Sequence, residues 1–168
     1  MDFEKLIYVV VGAIIGFTLS LIKDLLMESK KQEEKNNQLK RKRLEELHIL
    51  VSHWSNIIFT HSTNLVAVMQ GKLMYNEHLD LITEYKSDGD FQRLEMILSI
   101  YASELSDTYN KVLDIRTKLN AISIKYEHQY ENGDTNGNKF INQYIKYQID
   151  FEKYTDKLKN EITKLALK

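Results

Sequence analysis

Apolar side chains recur along most of the chain at alternating spacings of three and four residues. The repeat runs through residues 44–82, 91–126 and 140–165. A seven-residue apolar repeat is typical of helices that pack side by side with a left-handed supercoil. No segment shows the period of two that marks a half-buried β-strand. The pattern predicts an all-α fold, with an elongated antiparallel bundle of three coiled-coil-like helices over residues 44–168.

Two polar segments separate the three runs. Residues 87–90 (SDGD) and 132–138 (NGDTNGN) contain the Gly, Asp and Asn residues that are typical of turns. Helices over 44–86 and 91–131 would each be roughly 60 Å long at 1.5 Å per residue. Short connections make neighbouring helices antiparallel, which predicts an up-down-up arrangement. Gly71 lies inside the first run and would split it into two helices if the chain turned there.

Several apolar residues lie off the seam and exceed what three helices need for their core. They would widen that core, support a fourth helix in the bundle, or form the interface of an oligomer. These residues are Ile57, Val66, Met96, Ile100, Ile124, Ile141, Ile145 and Ile149.

Between Lys5 and Lys23 the chain has seventeen residues without a charge, LIYVVVGAIIGFTLSLI. A membrane span needs about 20 apolar residues, and lysines at its ends can reach the head groups. Lysine and arginine are far more frequent after this segment than before it, which predicts a cytoplasmic C-terminal side. A cleaved signal peptide and a buried core helix are the alternatives. The predicted organisation in the inner (cytoplasmic) membrane is a short outside segment 1–5, a transmembrane helix 6–22, a basic juxtamembrane helix or linker 23–43, and a cytoplasmic bundle 44–168.

Two features of this N-terminal region suggest contacts with the membrane. Gly12 and Gly16 form a GxxxG pattern, which allows two membrane helices to pack closely, although glycine is also common in single spans. A basic collar after the span would face anionic lipid, unless it is only a solvated helix face. The collar consists of Lys30, Lys31, Lys40, Arg41, Lys42 and Arg43.

Composition narrows the function classes. The chain contains no cysteine, which excludes disulfides and thiolate chemistry, and no proline, which favours long helices. Residues 1–43 carry a net charge of +3 and residues 44–168 a net charge of −4. The acidic body argues against nucleic acid as a partner. We expect lipid, together with a protein partner or a second copy of the chain, as the partners.

Four polar residues occupy seam positions of the repeat: His61, Lys72, Thr108 and Glu161. The register of the two predicted hairpins places Lys72, Thr108 and Glu161 in one layer. A charge buried there would need a partner, which the opposite charges of Lys72 and Glu161 provide. Such a layer would hold a ligand or a proton, or would only fix the register of the helices. We identify no metal-binding, nucleotide-binding or hydrolase motif, and therefore predict no cofactor and no enzyme.

The segment from Arg43 to His48 (RLEELH) resembles the Arg-x4–6-His motif of the HEPN ribonucleases, which are all-helical. The resemblance covers these residues alone and implies an RNA-cleaving site that includes His48. The chain departs from the family at Leu44, where a polar residue usually follows the arginine. This interpretation is the enzymatic alternative.

The combination of a GAIIGFTLSLIKDLL anchor, a charged collar and a helical body resembles the small single-pass, membrane-anchored helical proteins of bacteria and prophages. The resemblance implies an accessory role in phage defence, superinfection exclusion or immunity. We therefore expect a membrane-tethered helical binding or adaptor protein. A membrane-disrupting, toxin-like effector is the other alternative.

Overall fold

The computed structural model describes residues 3–83 and 89–167, with the backbone alone at positions 3–15, 18, 19, 21, 82 and 83. In this part of the chain the α-helices are α1 (Phe3–Met69), α2 (Tyr75–Thr83), α3 (Asp90–Tyr101), α4 (Ser106–Glu131) and α5 (Asn138–Ala166). A 3-10 helix, Ser103–Leu105, joins α3 to α4. The described residues contain no β-strand, so the all-α prediction is confirmed.

The chain divides into two compact units, Met1–Lys40 and Arg41–Lys168. In the first unit, the side chains that are described up to residue 39 are exposed. Within the described residues, no helix is long and apolar enough to cross a membrane. Most side chains of the predicted span 6–22 lie outside the described residues, so the span stays a prediction.

In the second unit, α2 and α3 both run antiparallel to α1. Asp90, at the start of α3, contacts His53 of α1 with 3.2 Å between Oδ2 and Nδ1. Arg93 comes one turn later and pairs with Glu46, which precedes His53 on α1. These two contacts therefore fix α3 in the direction opposite to α1.

Helix α4 runs parallel to α1. Tyr109, near its start, lies 6.5 Å from Trp54 between ring centroids. Tyr126, near its end, donates a hydrogen bond of 3.4 Å to the carbonyl oxygen of Val68. Helix α5 then returns antiparallel to both, because Tyr144 near its start reaches Ser62.

The second unit is consequently an up-down-up-down four-helix bundle. Helices α2 and α3 together take the place of its second helix. The first reversal lies at Gly71, whose φ of 70° is left-handed. The turn predicted at residues 87–90 lies partly outside the described residues. The second lies at Ala102, a fully buried residue that ends α3. The three-helix prediction is therefore wrong and the four-helix alternative describes the bundle. The predicted turn after α4 is confirmed, with Gly133 at a φ of 88°.

The core follows the predicted seam for most of α1, α4 and α5. Ile97 and Ile162 are fully buried although they lie off the seam, whereas the seam residue Leu79 is 43% exposed. Burying each large apolar side chain contributes about 1.5–3 kcal/mol to stability. Of the off-seam residues, Val66 and Ile141 pack against this core, whereas Met96, Ile100, Ile124 and Ile149 are exposed. The most deeply buried seam residues include Leu44, Leu47, Val51, Leu94, Val112, Tyr126, Phe151 and Leu158.

Candidate functional site

A cavity of about 310 Å³ lies where α1, α2, α4 and α5 meet. Its carbon-rich wall comes from Ile58 and Leu65 of α1 and Leu119 of α4, and polar side chains line the remainder. Ligand sites in proteins usually combine an apolar lining with a few convergent polar groups. The cavity is therefore the candidate functional site of the bundle.

Three hydroxyl groups from different helices form one wall of the cavity. The Tyr144 hydroxyl donates a hydrogen bond of 3.3 Å to Ser62 Oγ and accepts one of 3.4 Å from Ser123 Oγ. Burial raises the pKa of Tyr144, although its two serine contacts oppose this effect. The phenol therefore stays protonated and can serve as a hydrogen-bonding group.

Two histidines line the cavity, His61 from α1 and His78 from α2. Burial lowers the pKa of both rings, and the neighbouring His61 lowers the pKa of His78 further, whereas Glu127 raises it. Both rings are therefore neutral at pH 7, and a neutral imidazole offers one donor and one acceptor.

The His78 side chain is one of the most deeply buried polar groups of the site, together with Ser62 and Tyr144. His78 is only 4% exposed, and its Nδ1 atom has no hydrogen-bond partner among the described residues. Most buried polar atoms in proteins do have such a partner. The unsatisfied atom belongs to a residue that lines the cavity, and His78 is therefore a candidate ligand-binding residue.

Charged side chains mark the two ends of the cavity, and both come from α4. Arg116 and Glu127 are eleven residues apart, which corresponds to roughly 16 Å along the helix. The Arg116 guanidinium lies 5.1 Å from the Phe91 ring centroid and 5.6 Å from that of Trp54. In the described part of the chain, Arg116 forms no ion pair.

Glu127, at the opposite end, interacts with the phenol of Tyr75. Burial, followed by the hydrogen bond to Glu127, raises the pKa of Tyr75. Tyr75 also stacks on Tyr130, with 5.0 Å between the ring centroids. The negative end of the cavity is thus already hydrogen-bonded, whereas its positive end presents Arg116 against the rings of Trp54 and Phe91.

Of the four predicted seam residues, only His61 lines the cavity. Lys72 is exposed in the turn after α1, Thr108 is half-buried in the first turn of α4, and Glu161 contacts Lys157 at 3.7 Å. Lys72 and Thr108 lie at opposite ends of the bundle, because Tyr126 near the end of α4 contacts Val68. The structure therefore does not bring Lys72 together with Thr108 and Glu161.

The basic collar is only partly free for lipid. Lys30, Lys31 and Lys42 are exposed, and Lys40 is half-buried. Arg41 pairs with Glu45 at 3.1 Å, and Arg43 pairs with Glu46 at 2.8 Å. Among the described residues, no atom beyond the adjoining helix backbone lies within 4 Å of a Cβ atom placed at Gly16. Gly12 lies outside the part whose side-chain environment is described.

The two residues of the ribonuclease-like motif contact different neighbours. Arg43 binds Glu46, which also accepts a hydrogen bond from Arg93 of α3. His48 instead lies beside Ile162 of α5. No contact between Arg43 and His48 is present among the described residues, and the ribonuclease alternative stays a prediction.

No group of three His, Asp or Glu side chains within the described ranges could hold a metal ion. Sequence reasoning also missed His78, Tyr144 and Arg116. The signal in the sequence was Gly71. A reversal at this glycine places α2, and with it His78, beside His61.

Comparisons of the chain with protein-family models, curated proteins and solved structures find no match.

Proposed function

We propose that the protein is a membrane-tethered binding module. Residues 6–22 anchor it in the cytoplasmic membrane with the N-terminus outside, and the helical bundle in the cytoplasm binds a small polar ligand. The cavity between α1, α2, α4 and α5 is the ligand site. In this proposal the chain acts by binding and carries out no reaction of its own.

The single observation that supports ligand binding is the buried, unpartnered Nδ1 atom of His78. Leaving such an atom without a hydrogen bond costs about 1–3 kcal/mol. A ligand that supplies the bond recovers this free energy and gains affinity from it. The hydroxyl of Tyr144 and its serine neighbours supply further donors and acceptors on the opposite wall.

The tether rests on the sequence between Lys5 and Lys23, which has no charged residue. Lysine and arginine dominate the C-terminal flank, the distribution that places that flank in the cytoplasm.

Cysteine labelling in intact cells tests the tether and its orientation. The natural chain has no cysteine, so single cysteines at Asp2 and Asn160 can be labelled without background. We expect the full chain to sediment with membranes and a membrane-impermeant maleimide to label only the Asp2→Cys protein in spheroplasts. Matched Ile14→Arg and Ser20→Arg variants place the same charge at the middle and near the end of the span. Loss of sedimentation in the first variant alone supports the anchor, and a wild-type chain in the soluble fraction contradicts it.

Native mass spectrometry tests the ligand site on the full chain purified in mild detergent. We expect a small molecule to remain bound to the wild type and to be absent from Ser123→Leu, which fills the cavity. Ser99→Leu makes the same change on the exposed face of α3 and should retain the molecule. Equal retention in both variants, or no retained molecule in the wild type, contradicts the proposed site.

An adaptor role is the second candidate, and α3 supports it. Met96 and Ile100 lie one turn apart on this helix and are 50% and 63% exposed. Apolar side chains at this spacing form a short stripe that a partner helix can cover. A Met96→Glu, Ile100→Glu variant should abolish co-purification of any protein partner, whereas Ile124→Glu on α4 should preserve it. Partner recovery that survives the double change contradicts this role.

A further inference from the structure

We infer that the cavity recognises a small organic carboxylate and that Arg116 is the residue that binds its carboxylate group. This inference rests on the proposed function, in which the cavity is a ligand site. It adds the charge and the chemical class of the ligand.

Arg116 is already positioned for binding an anion. Its guanidinium lies against the rings of Trp54 and Phe91, which hold the planar group by cation–π contacts. In the described part of the chain no carboxylate forms an ion pair with it. Cation–π contacts leave the N–H groups of an arginine available for hydrogen bonding, and this fork matches a carboxylate in two parallel bonds.

The charges of the site favour a ligand with one negative charge. Arg116 is the only lysine or arginine that lines the cavity in the described residues, and Glu127 lies at the opposite end. A second negative charge on the ligand would have no cation to pair with and would be repelled by Glu127. A carboxylate therefore fits the site better than a phosphate dianion.

The size of the cavity requires a carbon skeleton in addition to the carboxylate. The cavity measures about 310 Å³, within the range of roughly 300–1,000 Å³ that is usual for small-molecule sites, so it has room for a carbon skeleton beside the carboxylate. The side chains of Ile58, Leu65 and Leu119 provide an apolar wall for that skeleton. At the end away from Arg116, a hydroxyl group of the ligand would meet His78 Nδ1 and the Tyr144 phenol.

The probe for this inference is 4-hydroxybenzoate, which combines a carboxylate, an apolar ring and a hydroxyl. Its neutral counterpart, 4-hydroxybenzamide, has the same shape without the charge. Trp54 is the only tryptophan in the chain, and it contacts the Arg116 guanidinium. A carboxylate that engages Arg116 should therefore change the fluorescence of Trp54 in the full chain purified in detergent.

We expect 4-hydroxybenzoate to produce a saturable change in Trp54 fluorescence and the amide to bind at least about tenfold more weakly. Arg116→Gln should weaken binding of the carboxylate by about 10- to 100-fold, the range for loss of charge-assisted hydrogen bonds. Arg116→Lys keeps the charge but loses the fork, and should weaken binding less. Lys125→Gln removes a charge from the exposed face of the same helix and should leave binding unchanged.

Equal binding of the carboxylate and the amide, or no effect of Arg116→Gln, overturns the inference. Absence of 4-hydroxybenzoate binding to the wild type also overturns it. In each of these cases the mass-spectrometry experiment decides about the proposed function. A neutral molecule that the wild type retains and Ser123→Leu loses supports ligand binding in the cavity without the carboxylate. If no molecule is retained and neither probe binds, the proposed function fails as well.

Discussion

Gly137 lies directly against Met69, so that α5 begins in contact with the end of α1. A Cβ atom at position 137 would come within 2.4 Å of Met69 Cβ and within 2.6 Å of its Cα. The contact joins the last helix of the bundle to the first at the end where α1 stops. Because one of the two atoms belongs to the backbone, rotation of the methionine side chain cannot relieve the clash.

We expect Gly137→Ala to lower the free energy of unfolding by about 1–3 kcal/mol, the usual cost of overpacking. Urea denaturation of the full chain in detergent, followed by Trp54 fluorescence, measures this change. Gly89→Ala is the matched control, because nothing lies within 4 Å of a Cβ atom at that position. Equal stability of the two variants would contradict the close contact between α5 and α1.

Gly71 determines where the chain first reverses. Its φ of 70° costs an L-residue about 1–2 kcal/mol, and asparagine tolerates this conformation better than most residues. We expect Gly71→Val to lower the free energy of unfolding by at least that amount. Gly71→Asn should lower it much less. The measurement is the midpoint of chemical denaturation. A valine variant as stable as the asparagine variant would show that the turn does not need the left-handed conformation.

The hydroxyl of Tyr144 joins α5 to α1 and α4 at the cavity wall. Tyr144→Phe removes its hydrogen bonds with Ser62 and Ser123 and should cost about 1–2 kcal/mol of stability. Tyr147→Phe makes the same change at a half-buried position of α5 and should cost less. If differential scanning calorimetry gives identical melting temperatures for the two variants, the hydroxyl cluster does not contribute to stability.

Protonation of the two cavity histidines should destabilise the bundle in mild acid. Burial lowers the pKa of His61 and His78 below the value of about 6.5 that is typical of an unfolded chain. The groups that face His78 are His61, Tyr75, Glu127 and Tyr144, and of these only Glu127 raises its pKa. The unfolded chain therefore binds more protons near this pH, and stability falls as the pH drops below about 6.5.

Denaturation at pH 7.5 and pH 5.5 measures this effect. We expect the wild type to lose more stability over this interval than His78→Gln, which has no titrating group at that position. His128→Gln changes an exposed histidine and should behave like the wild type. A His78→Gln variant with the same loss as the wild type would show that His78 does not contribute to the acid response.

The turn after α4 was predictable because residues 132–138 combine two glycines with asparagine and aspartate, and the apolar repeat stops there. The break at Ala102 was not predictable by the same reasoning. Alanine has the highest helix propensity, and apolar residues at Tyr101 and Leu105 continue the spacing across it. The helix ends at this position because the chain reverses to pack α4 beside α3, which is a tertiary effect.

The polar layer and the cavity depended on the position of the first reversal. With a turn at residues 87–90, Lys72 would lie inside a long helix and His78 would be near its end. The reversal at Gly71 instead exposes Lys72 and buries His78 beside His61. One glycine therefore decides which polar residues meet, and a heptad repeat does not show whether a glycine within it breaks the helix.

The most direct test of ligand binding in the cavity is the nitrogen NMR spectrum of His78. We would record it for the full chain, labelled with ¹⁵N-histidine and purified in detergent, before and after unfolding and refolding with dialysis to remove small molecules. If a bound ligand hydrogen-bonds Nδ1, removal of the ligand should shift the Nδ1 signal of His78. The signals of the exposed His128 should not shift. An unchanged His78 signal would contradict the claim that the cavity binds a ligand through this atom.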